Sequence, residues 1–121
     1  MSEFLIDRFE RDFQVWNYTV GMRRLLLRSN KEGRFDTRID ILFQNVQAMR
    51  LPTHLHGVRV SEADDVEKAS LVEQFGQGMV QSGRLFHIEN RVSIGFVVAG
   101  LVTEAVDDRE YFEPSQFKPD L

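Results

Sequence analysis

The stretch Val92-Ser-Ile-Gly-Phe-Val-Val-Ala-Gly-Leu-Val-Thr-Glu-Ala-Val106 constrains the fold of this chain more than any other. A run so continuous in apolar and β-branched residues packs well on a pleated surface and reads as the most buried strand of a sheet. Gly95 and Gly100 interrupt it and point to a bulge, a bend or a break into two strands. Phe96, Val97, Val98 and Leu101 are expected in the core.

Other segments supply the remaining sheet. Thr37 to Val46 alternates, placing Ile39, Ile41 and Phe43 on one face and Asp40, Leu42 and Gln44 on the other, as in a sheet with one buried face. Arg23 to Ser29 forms a short apolar strand, and Asn30-Lys-Glu-Gly33 is a turn that joins it to the next. His54 to Val60 resumes as a strand after the break at Pro52, and Arg84 to Glu89 is another. Phe13 to Val20 is aromatic and β-branched, while Phe4, Leu5, Phe9 and Phe13 recur at helical spacing, so a short helix or an irregular strand precedes it. Ser61-Glu-Ala-Asp-Asp-Val-Glu opens a helix, with Val66, Ala69, Val72 and Phe75 as its inward stripe and Gly76 or Gly78 as its stop. The expected fold class is α+β: a mostly antiparallel, curved sheet of about five to seven strands, approaching a partial barrel, with one or two packed helices. Residues 1–109 form a single globular domain and residues 110–121 a C-terminal tail.

A chain of 121 residues can bury a core without staples. The absence of cysteine excludes disulfides, thiolate catalysis and Cys-ligated zinc, and fits a reducing compartment. The first residues include acidic side chains and no extended apolar run, so a cytoplasmic location with no membrane role is expected. Residues 1–60 carry ten Lys or Arg against seven Asp or Glu, whereas residues 61–121 carry five against twelve. The two halves thus have complementary fields that favour their docking. Arg23, Arg24 and Arg28 make only one short basic cluster, so nucleic acid is not the expected partner.

Conventional site chemistry is sparse. His54 and His56 project from the same face of a strand, a spacing that lets two imidazoles reach one metal ion, with His87, Glu62 and Glu89 as further candidate ligands. This set resembles the cupin pattern, in which His-x-His, a following Glu and a distant His hold a metal inside a small β-barrel. Here Glu62 lies one residue too far along, no glycine precedes the pair at the usual spacing, and Gly83, His87 and Asn90 match the second cupin motif only with shifted gaps. Asp64/Asp65 and Asp107/Asp108 are explained by capping and solubility. Gly76-Gln-Gly78 follows a helix, the reverse of the dinucleotide arrangement, and Trp16 and Tyr18 read as core or cross-strand partners.

Function is expected to be that of a non-catalytic protein-interaction or regulatory binding module without a cofactor. It is expected to hold a protein partner or to self-associate, with a homo-oligomer the favoured form, through the tail aromatics Tyr111, Phe112 and Phe117. The alternative is a cupin-like metal-dependent enzyme or small-molecule-binding protein that holds a divalent metal on His54, His56 and His87.

Overall fold

The computed structural model describes residues 4–76 and 83–117, the Phe75 side chain excepted. Its elements are β1 (Ile6–Thr19), β2 (Arg24–Ser29), β3 (Arg38–Gln44), β4 (Ala48–Arg50), β5 (His54–Glu62), α1 (Asp65–Phe75), β6 (Arg84–Glu89), β7 (Ile94–Ala99) and β8 (Leu101–Asp107). All strand pairs are antiparallel, in one sheet of order β4-β7-β6-β5-β1-β2-β3-β8. Among the described residues the fold is mostly β, with one short helix, in place of the expected α+β balance. No helix among the described residues is long and apolar enough to cross a membrane.

Connection lengths force the sheet to curl. β3 and β4 stand six positions apart in the order, roughly 29 Å in a flat sheet. Asn45 to Gln47 alone join them, and such a connector reaches roughly 14 Å at most. β7 and β8 are equally far apart in the order and are joined by Gly100 alone. Both spans are possible only if the ends of the sheet approach one another. Gln44 pairs with Leu101 and Ala48 with Val98, so β3–β4 and β7–β8 form one bent ribbon whose register slips at the corner. Asn45 turns that corner in the left-handed region, and Gly100 N–H donates to the Gln44 carbonyl at 2.9 Å. The sheet stays open, since β4 and β8 end the order without pairing to one another.

The concave face holds the main core, built from Phe13, Leu25, Leu27, Ile39, Ile41, Phe43, Leu55, Val58, Phe86 and Val97 among others. Alternation in β3 has the expected phase, but the opposite face is not solvated. Leu26, Arg28, Arg38, Asp40 and Leu42 on that outer face are all no more than 2 % exposed. The break at Gly100 also divides the apolar stretch unequally: β7 is largely buried, while β8 lies at the sheet edge with Leu101 47 % exposed. Phe96 turns to the outer side and is only partly buried.

Of the two expected alternatives before Phe13, the irregular strand is the one formed, and it runs on into the following segment as the long β1. Three residues, Phe9 to Arg11, stand against Gly57 alone in the β1–β5 pairing. Gly57 has φ of 85°, and a Cβ there would lie 2.6 Å from the Phe9 carbonyl oxygen, so glycine is required. Trp16 is a second extra residue, between Val15 opposite Leu27 and Asn17 opposite Leu26.

α1 covers the outer face of β6 and β7 through Leu71 and Val72 against Leu85, Val98 and Phe96. The inward stripe is thus rotated from the expected one, for Val66 and Ala69 are exposed; Gly78 and the Phe75 side chain lie outside the described residues. Asp64 caps the helix by accepting from Glu67 N–H at 2.9 Å, while Glu67 accepts from Asp64 N–H at 3.1 Å. Gly76 ends it, donating to the Val72 carbonyl at 2.8 Å.

Candidate functional site

Antiparallel register aligns a polar row across the outer face. His54 stands opposite Gln14, Gln14 opposite Arg28, and Arg28 opposite Asp40. Direct cross-strand partners share a face, so residues up to 40 positions apart in sequence become neighbours. His56 opposite Asp12 begins the next row.

Arg28 organises the row. Its Nε and Nη2 donate to the two carboxylate oxygens of Asp40 at 2.7 and 3.1 Å, and both side chains are almost fully buried. Two charges removed from water need this bidentate geometry to be tolerated at all. The guanidinium also lies 4.8 Å from the Trp16 ring centroid, and Nη1 donates to the Tyr111 carbonyl at 3.4 Å. Tyr111 meets Trp16 edge-on at 4.9 Å, and Phe112 meets Tyr111 at 4.5 Å. A continuous stack thus climbs from a buried ion pair to Phe112, which is 87 % exposed.

Arg38 fastens the segment that carries these rings. Fully buried, it donates to both Asp107 oxygens at 3.2 Å and to the carbonyls of Glu110, Glu113 and Pro114 at 3.1, 2.7 and 3.0 Å. Those five bonds match the full donor count of a guanidinium. Burial pushes the Asp107 carboxyl up, but the Arg109 backbone N–H, the Gln116 amide and Arg38 outweigh it and hold its pKa below the ordinary aspartate value of 3.8. Lys31 adds a surface contact to Glu110 at 2.6 Å. The tail aromatics therefore divide: Tyr111 packs on the chain's own sheet, Phe117 is half-buried with its N–H on the Ser115 hydroxyl, and Phe112 faces solvent.

Beneath Tyr111 lies a cavity of about 340 Å³, walled by the His54 and His56 rows and by the turn after β2. Gln14 Nε2 lies 3.2 Å from His54 Nε2, and His54 Nδ1 lies 3.4 Å from Thr53 Oγ1. His56 Nδ1 is 3.5 Å from Asp12. Asn30 Oδ1, on the same wall, is buried and without a hydrogen-bond partner among the described residues.

The structure brings His54 and His56 together with Asp12, but it holds His87 elsewhere. His87 stands opposite Ser61 of β5 and Phe96 of β7, and Ser61 is five residues, roughly 17 Å, along β5 from His56. His87 Nε2 bonds Glu67 and so ties the cap of α1 to β6. Glu62 is engaged by Arg84 at 2.7 and 3.1 Å, a hydrogen bond that lowers the Glu62 pKa despite partial desolvation, and Glu89 stands opposite Arg59. Among the described residues no group of three or more His, Asp or Glu is placed to hold one metal ion.

Sequence reasoning passed over Asp12, Gln14, Asn30 and Arg38. The first two alternate with the core residue Phe13, but only register reveals that they face His54 and His56. Comparison with protein-family models, curated proteins and solved structures finds no match to this chain.

Proposed function

We propose that this chain is a non-catalytic binding module that works through protein contacts made by its outer face. The observation that carries this reading is the stack ending in Phe112. An aromatic side chain held 87 % exposed at the end of an anchored ring series is preorganised for burial by another molecule. Rigid aromatics lose little conformational entropy on binding and dominate interface energetics.

The surrounding charge selects the partner. Asp108 and Glu113 are exposed beside the rings, with Glu110 paired to Lys31, on a chain of net charge −4. A protein with an apolar pocket and a basic rim complements this surface, whereas a second copy would bring the same carboxylates and repel it. The cupin-like alternative draws its third ligand from His87, which Glu67 holds on the far part of the sheet.

Site-specific photo-crosslinking tests the reading. A photoreactive phenylalanine analogue at position 112 is expected to capture one predominant protein in cells that make the chain. The same analogue at Val20, 77 % exposed and away from the stack, should not. Adducts of equal identity and yield from both positions contradict the proposal.

A further inference from the structure

The two buried arginines beneath the C-terminal segment each have a carboxylate of their own on the sheet. Arg28 stands opposite Asp40 on β3, and Arg38 stands opposite Asp107 on β8; in both cases the direct cross-strand partner is also the ion-pair partner. Charge balance on this face is therefore complete without residues 108–117. To Arg38 that segment adds three neutral acceptors, the carbonyls of Glu110, Glu113 and Pro114, and to Arg28 it adds one, the Tyr111 carbonyl at 3.4 Å. Lifting it away leaves no unpaired buried charge, the most costly result of breaking such a contact, and lets water replace the lost carbonyls.

The segment is also tied to itself. Glu110 N–H donates to Glu113 Oε2 at 2.6 Å, Glu113 N–H to the Glu110 carbonyl at 3.0 Å, and Arg109 Nη1 to the Pro114 carbonyl at 2.8 Å. Residues 108–117 contain no helix or strand, and Ser115 is the one among them that is buried. Beyond the arginines, the hold on the sheet comes from Tyr111 against Trp16, half-buried Phe117, the exposed Lys31–Glu110 pair, and two bonds at 3.1 Å from the Gln116 amide to the end of β8. A segment with so little buried apolar surface opens at lower free energy than the core. We infer that residues 108–117 form a strap that docks and undocks as a unit while the sheet stays folded, and that this equilibrium controls the Phe112 surface. The consequence for binding rests on the protein-contact reading: the docked strap alone holds Phe112 at the end of the ring stack, so apparent affinity falls with the docked fraction.

Urea titration of the full chain separates strap from sheet. Trp16, the single tryptophan, reports docking through Tyr111, whereas far-UV circular dichroism reports the strands. The Trp16 transition is expected at lower urea and with a shallower urea dependence, since undocking exposes little surface. Gln116→Ala, at an exposed position, should move the Trp16 transition to still lower urea and leave the dichroism midpoint in place. Coincident transitions for the two probes in both proteins overturn the inference, and they leave the ring stack standing as a binding surface. Saturation with the protein captured at position 112 should shift the Trp16 transition to higher urea, because that protein binds the docked form. A separate Trp16 transition that it does not move contradicts control of binding by the strap and removes the protein-contact reading, while the strap itself remains.

Discussion

Arg8 of β1 and Glu104 of β8 meet at 2.7 Å although their strands stand three positions apart in the sheet. Their cross-strand partners, Val58 and Ile41, belong to the core, so the pair lies on the concave face and ties β8 to β1 across the curl of β2 and β3. An inward-pointing carboxylate on an edge strand also blunts its tendency to pair with another chain.

That pair is partly solvated, with the side chains 32 % and 26 % exposed, so its contribution should be modest. A double-mutant cycle of Arg8→Met and Glu104→Gln is expected to give a coupling of about 0.2–1 kcal/mol that shrinks with added salt. Urea unfolding of the four proteins measures it, and no coupling at low salt would deny that the pair helps to hold β8 against β1.

The buried Arg28–Asp40 pair should behave differently. Asp40→Ala leaves a guanidinium uncompensated under Trp16 and should cost about 3–5 kcal/mol. Arg28→Met combined with Asp40→Leu removes both charges and should cost less than Asp40→Ala alone, as read by urea unfolding.

Asp107 makes the docking of the C-terminal segment sensitive to acid. Its folded pKa is depressed, so the stabilisation it provides is complete above the ordinary value of 3.8 and is lost as pH falls through the lower folded value. Fluorescence of Trp16, the single tryptophan, should report this through its contact with Tyr111. A change is expected below about pH 4, and Asp107→Asn should abolish that step.

The two halves of the apolar stretch and its neighbouring strand show what sequence alone can reveal. Period two in Ile39, Ile41 and Phe43 gave the right inner face, because alternation is a local property of a strand. Burial of Asp40 and Arg38 on the opposite face depends on a segment some 70 residues later folding back, which no local pattern encodes. Leu101 looks as apolar as Val97, yet its position at the sheet edge is set by the curl at Asn45 and Gly100. In the helix, Val66 and Ala69 match an apolar stripe yet are exposed, and of that stripe Val72 joins Leu71 in the contact. His54 and His56 were legible as a pair, but their cavity is assembled from β1, the turn after β2 and the tail.

Truncation separates these burial assignments. Ile41→Ala should cost about 2–5 kcal/mol, whereas Leu101→Ala should stay within roughly 0.5–1 kcal/mol. Comparable losses at both positions would mean that β8 is more deeply packed than its edge position allows.

The most direct measurement is the affinity of the purified protein captured at position 112 for this chain, by isothermal titration. Tyr111→Ala and Phe112→Ala together should weaken it by about 100-fold or more, as expected for two aromatic anchors, while Val20→Ala leaves it unchanged. Equal affinity for the wild type and the double variant would contradict the proposal that the ring stack is the binding surface.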